Sequence, residues 1–186
     1  MNRNYKRPPD SPFNIILGKE RAVHTKVHGL FTALGSFWEK LVKELAPYNG
    51  FDVGDQKIFK VPKNAPILHK PTIDGYIASR ISGSNEYDAE TSKQAVSNLC
   101  NYYAANPCEE WGKPPRGTGV DVYLKKGDRH YLFDSKTVKP NLEHLNTFLR
   151  ELHMWYWYAY SRFPGEEIFA RIVFPYNPHN TLFEEN

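Results

Sequence analysis

Residues 119–141, GVDVYLKKGDRHYLFDSKTVKPN, constrain the fold more than any other stretch of the chain. Two runs of alternating apolar and polar residues flank Gly127-Asp128, and glycine at the first of two turn positions favours a tight β-hairpin. A two-residue turn fixes the register: 126 opposes 129, 124 opposes 131, and Asp121 falls opposite Asp134. Directly opposed residues have Cβ atoms roughly 5 Å apart, and side chains two apart share a face, so Lys136 joins Asp134 there. Acidic residues are poor strand formers, and two carboxylates facing each other repel. The pattern predicts three charged groups converging at the open end of the hairpin.

Two opposed carboxylates are tolerated when a cation lies between them. Sites of one or two carboxylates plus water suit Mg²⁺, which keeps much of its hydration shell. The backbone carbonyl of Ser135 offers a further oxygen. Lys136 is placed to orient or activate an attacking water, or to stabilise charge developing on a phosphate. This constellation fits phosphodiester cleavage; the plainer alternative is a solvated salt-bridge cluster on an exposed sheet face. The acid-x-Lys pattern recurs at Asp55-Gln56-Lys57, but no strand precedes that copy, and its nearest upstream acid, Asp52, is too close to lie on a separate strand.

The remaining chain predicts what packs around the hairpin. With 186 residues, 40% of them hydrophobic and 24% charged, the chain suits one globular domain with a real core. Residues 1–12 are basic and proline-rich and read as a mobile arm. Apolar residues at 30, 34, 37, 38, 41 and 45 have helical spacing within 29–47, which Pro47 and Gly50 then stop. Residues 50–82 show prolines and short β-like pieces such as YIASRIS, with no element placed. Residues 84–107 read as a second helix capped by Ser84 or Asn85, with Ala95, Val96, Leu99 and Tyr103 on one face. WGKPPRGTG is a stiff basic loop. Residues 142–163 read as a long helix presenting Leu145, Phe148, Leu149, Leu152, Tyr156 and Ala159. EEIFARIVFPYNP reads as a buried strand ending at proline. Helix, helix, hairpin, helix, strand gives an α/β protein, with a mixed sheet covered by helices.

Other signals carry less. A net charge of +3 is compatible with a polyanionic partner without demanding one. The N-terminus lacks the apolar stretch of a signal peptide, and no run approaches transmembrane length. Cys100 and Cys108 read as reduced thiols of a cytosolic protein. His24 and His28 stand at i,i+4, but without a neighbouring Glu or a third ligand they read as an ordinary helical pair. The MWYWYAY run is expected to be core, a subunit interface being the other option.

At Asp121, Asp134 and Lys136 the sequence resembles the PD-(D/E)xK nuclease superfamily, whose core is an Asp on one strand and acid-x-Lys on its antiparallel neighbour. Gly119-Val120 stands where a proline often precedes the first Asp. FDSKTVKPN, a following aromatic helix with WYAY, ARIVFPYNP, and LGSFWEKLVKELA are similar to type II restriction endonucleases of the TdeIII kind, over roughly residues 28–178. The resemblance implies a single nuclease domain over 1–186 with a restriction-endonuclease-like core at about 29–178. It also implies Mg²⁺-dependent cleavage of double-stranded DNA at a specific, GGNCC-type site. Asp121 and Asp134 would hold the metal with Ser135, Lys136 would serve the attacking water, and Glu39, in SFWEK, matches a helical carboxylate that supports the site. An i,i+4 pair with Lys43 is the alternative for Glu39. Lys113, Arg116, Lys139, Asn141 and Arg171 are candidate DNA contacts. A palindromic target would imply a homodimer. A structure-specific nuclease such as a junction resolvase, or a DNA-binding module without turnover, are the competing functions.

Overall fold

A computed structural model describes residues 18–83, 88–136 and 142–174. Its centre is a four-stranded sheet in the order β1–β4–β5–β6, where β1 is Asp52–Val53, β4 Val122–Lys126, β5 Arg129–Ser135 and β6 Glu167–Val173. β4 and β5 are antiparallel, and β5 and β6 parallel, so the sheet is mixed, as the element order predicts. The turn has the expected length: Lys126 pairs with Arg129, Leu124 with Tyr131 and Val122 with Phe133. Gly127 takes φ 59, a left-handed conformation that glycine adopts without steric cost. A small second ladder joins β2, Val61–Pro62, to β3, Trp111–Gly112, which lies inside the stretch read as a loop.

Helix α1 spans Gly18–Leu45 and stops where the sequence says it should. Pro47–Asn49 forms one turn of 3-10 helix, and Gly50 closes it at φ 74. Ala46 then packs with Val122 and Leu124, flanked by Phe51, Tyr131 and Phe133, covering one face of the sheet. His24 and His28 lie on α1, but their side chains fall outside the described residues.

The opposite face is covered by α5, Leu142–Arg162. Met154 through Ser161 are all buried, more than the half expected of a helix lying on a sheet. The reason is a third layer: α2, His69–Ile81, and α3, Ala89–Cys100, bring Ile73, Ile77, Val96 and Cys100 onto the back of α5. A helix covered on both sides must be apolar nearly all round, and MWYWYAY is so. It is core. Leu145, expected on the buried face, is exposed, because covering begins further along the helix.

Two readings need correction here. YIASRIS is the end of α2, not β-like: Ile73 and Ile77, one turn apart, are fully buried in the shared core, and this packing overrides the local strand preference of its isoleucines. Pro71 sits in the first turn, where no intrahelical partner for its missing N–H is required. The second helix is capped by Asp88, whose side chain accepts from the Thr91 N–H at 2.7 Å; Ser84 and Asn85 lie outside the described residues. The chain then turns at Asn101 into α4, Tyr102–Ala105. Ser92, Val96 and Cys100 form the buried stripe of α3, leaving Ala95 and Leu99 at its margin.

Trp155 joins core to site. It is fully buried, and its Nε1 donates to the Thr118 carbonyl at 3.2 Å. The Thr118 hydroxyl meets Tyr158 and donates to the Pro115 carbonyl, so the aromatic helix holds the loop that leads to Asp121. Trp155→Ala is expected to cost about 3–5 kcal/mol, a large share of a typical domain's stability. A urea titration would read it, and a loss under about 1 kcal/mol would remove Trp155 from the core account.

Both cysteines are free. Burial pushes the Cys100 thiol up to about 12, whereas Cys108 is only partly buried. Native protein should therefore be alkylated by iodoacetamide at Cys108 and spared at Cys100, because the thiolate is the nucleophile. Peptide mass mapping before and after denaturation checks this.

Candidate active site

The β4–β5 ladder ends at Val122↔Phe133. One step further in the same register, Asp121 faces Asp134, and their carboxyls come close enough to hydrogen-bond when one of them is protonated. Asp134 is the penultimate residue of β5 and is 6% exposed. Lys136 lies just past the strand; its N–H donates to the Val173 carbonyl at 2.9 Å, extending the pairing with β6. Its ammonium forms an ion pair with Asp134. The three groups that alternation predicts to converge do so.

The acid pair has unusual electrostatics. Burial, then the hydrogen bond to Asp134, then the charges of Asp134 and Glu39 push Asp121 up to about 7, against the opposing pull of Lys136. Two unit charges 4 Å apart repel by about 4 kcal/mol at an effective dielectric of 20, so a proton between them relieves the site. Lys136 is raised: burial opposes this, but the bond to Asp134 and the charges of Asp134, Glu151 and Asp121 outweigh it.

Glu39 is partly buried on α1, and its charge acts on Asp121. Among the described ion pairs none joins it to Lys43. The C-terminal half of α1 thus brings a third carboxylate within electrostatic range. Ser135 faces away from Asp134 along β5, and its buried hydroxyl has no partner among the described residues. Its carbonyl is oriented differently. The Lys136 N–H points to β6, so across a planar trans peptide the Ser135 carbonyl points toward β4, the side of Asp121.

One residue escaped the sequence reading. Glu151 on α5 is 7% exposed, and its charge acts on Lys136 and Asp134. No local signal marks it: Arg150 and Glu151 both interrupt the apolar spacing of the helix, and only Glu151 is buried. Among the described residues no three His, Cys, Asp or Glu side chains gather into a ready-made metal cage. The donor set is a two-carboxylate one, which suits a cation that keeps much of its water. Two carboxyls brought this close in a partly buried place mark where positive charge is wanted.

The candidate DNA contacts divide. Lys113 and Arg116 are exposed on the loop before Asp121. Lys139 and Asn141 lie outside the described residues. Arg171 is exposed on β6 opposite Phe133, on the α1 side of the sheet and away from Asp134. The Asp55-Gln56-Lys57 copy is accounted for locally: Asp55 caps a 3-10 turn by accepting from the Lys57 N–H at 2.9 Å.

No helix among the described residues is long and apolar enough to cross a membrane. No curated protein and no solved structure matches the chain. A family model does: that of the type II restriction endonuclease HinfI, over residues 9–184. The match spans nearly the whole chain, including the hairpin, both helices that face it and β6, and the chain belongs to the HinfI family of type II restriction endonucleases.

Proposed function

We propose that this chain is a divalent-cation-dependent endonuclease of the PD-(D/E)xK type that cleaves double-stranded DNA at a specific site. The observation that carries the reading is the meeting of Asp121, Asp134 and Lys136 at one end of the hairpin. Asp121 and Asp134, with the Ser135 carbonyl on the same side, would hold Mg²⁺. When bound, such a cation polarises the scissile phosphate and supplies a nucleophile at neutral pH. Lys136 would hold the attacking water or the phosphate oxygens by hydrogen bonding, and Glu39 would add negative charge beside Asp121. Lys113 and Arg116 would contact phosphates, and Lys139 and Asn141 would reach the duplex beyond the site.

A palindromic target matches a two-fold symmetric protein, so a homodimer is the expected assembly. Exposed Leu34, Phe37, Val42 and Leu45 on α1 form an apolar face that a second copy would cover. An enzyme acting on cellular duplex DNA would work in the cytoplasm. The similarity to enzymes of the TdeIII kind nominates a GGNCC-type site.

The test is digestion of long mixed-sequence duplex with Mg²⁺, beside an Asp134→Ala control. Discrete bands lost in the variant support the proposal, and sequencing their ends gives the site. A smear would indicate an enzyme without base specificity, and cleavage confined to branched DNA a resolvase. No cleavage by folded protein would sink the catalytic reading.

A further inference from the structure

Glu151 has no part in the reading above, yet it is the most conspicuous group near the site. It is 7% exposed, and its Oε2 has no hydrogen-bond partner among the described residues. Buried polar atoms nearly always have partners, and leaving one without costs stability. An acceptor held empty inside a core suggests a donor that arrives in another state of the protein.

The donor at hand is Lys136. Its ammonium pairs with Asp134 and lies 5.5 Å from the ring centroid of Phe148, which precedes Glu151 by nearly one turn on α5. Its side chain is 28% exposed, and it carries three N–H donors. A cation bound by Asp121 and Asp134 competes with that ammonium for the Asp134 carboxylate, and Lys136 then needs another anion or it leaves for water. We propose that Glu151 is a positioning residue that receives the Lys136 ammonium when a cation takes Asp134, keeping Lys136 inside the site. This inference rests on the reading of Asp121 and Asp134 as the cation-binding pair. Empty, the site stores Lys136 on Asp134; loaded, it hands Lys136 to Glu151.

The handover is read without turnover by titrating Mn²⁺ into DNA-free protein and following free Mn²⁺ by electron paramagnetic resonance. The series is wild type, Glu151→Gln, Lys136→Met, the double variant and Asp134→Asn. Glu151→Gln is expected to weaken Mn²⁺ binding by about tenfold with Lys136 present and clearly less in the Lys136→Met background, a coupling typical of groups that act through each other. Equal weakening in both backgrounds would make Glu151 a general anion near the cation and overturn the handover, as would no weakening in either. If wild type bound no Mn²⁺, or Asp134→Asn bound as wild type does, the cation pair itself would fall and this inference with it. In cleavage assays Glu151→Gln should lower kcat with KM for duplex unchanged; a change in KM alone would count against a role beside Lys136. Should Glu151→Gln not fold, Glu151→Leu, of similar volume and without charge, carries the same cycle.

Discussion

Lys136→Ala is expected to lower cleavage by at least about 10²–10³-fold, the loss typical of removing one group that stabilises transition-state charge. Duplex binding should largely persist, because affinity is spread over many phosphate contacts. The ammonium has a second duty. In the metal-free protein it neutralises Asp134, which is 6% exposed. Breaking a buried ion pair by removing one partner costs about 3–5 kcal/mol, here offset in part because Asp121 and Asp134 can retain a shared proton. Lys136→Ala should therefore melt lower than wild type without cations and recover much of the difference on adding Mg²⁺. Lys136→Arg keeps the charge but replaces a compact ammonium with a planar fork, and it should not restore cutting. Rates on plasmid, gel shifts in Ca²⁺ and melting curves separate these effects. Retained cutting by Lys136→Ala would remove Lys136 from the mechanism.

The hairpin was readable because turn length and strand parity are local rules. Once Gly127-Asp128 is a two-residue turn, the meeting of Asp121 with Asp134 follows from counting. The long helices were readable because their apolar spacing is sustained and because Pro47 and Gly50 end α1 unambiguously. Helix α2 was not. Its only fully buried apolar anchors are Ile73 and Ile77, too few to outweigh the prolines and β-branched residues around them until α5 is known to lie against them. Asp88 went unread as the cap for a similar reason: Ser, Asn and Asp can all cap, and only the position of the first buried residue of α3, Ser92, singles it out.

The site divides along the same line. Asp121, Asp134 and Lys136 belong to one supersecondary unit, so sequence separation fixes their separation in space. Glu39 was reached only through resemblance, since its approach to Asp121 depends on how α1 crosses the sheet. Glu151 was invisible because an acid at the flank of a helix ordinarily faces water. Here that flank turns toward the end of the hairpin, beside Lys136 and Asp134, and becomes interior. Long-range layering, which no local pattern encodes, turns an ordinary glutamate into a buried one.

Asp134→Asn should abolish both cleavage and cation-dependent stabilisation, and it should also weaken a pH trend. In the metal-free wild type the folded Asp121 is raised to about 7 from 3.8, chiefly by burial and by Asp134. Between those values the folded state holds a proton that the unfolded chain has released. Stability then falls as pH rises through that window; the contribution is present below pH 3.8 and gone above about 7. Mg²⁺ replaces the proton, so its stabilising effect should be small at pH 5.5 and large at pH 8. Asparagine at 134 removes the like charge and can still donate to Asp121. Asparagine also gives up the ion pair with Lys136 at every pH, so relative to metal-free wild type the variant should lose less stability between pH 5.5 and pH 8, and it should show little response to Mg²⁺ at either pH. Melting curves at the two pH values, with EDTA and with Mg²⁺, decide it. If metal-free wild type were as stable at pH 8 as at pH 5.5 relative to Asp134→Asn, the two carboxylates would not share a proton, and the electrostatic case for a cation between them would be lost.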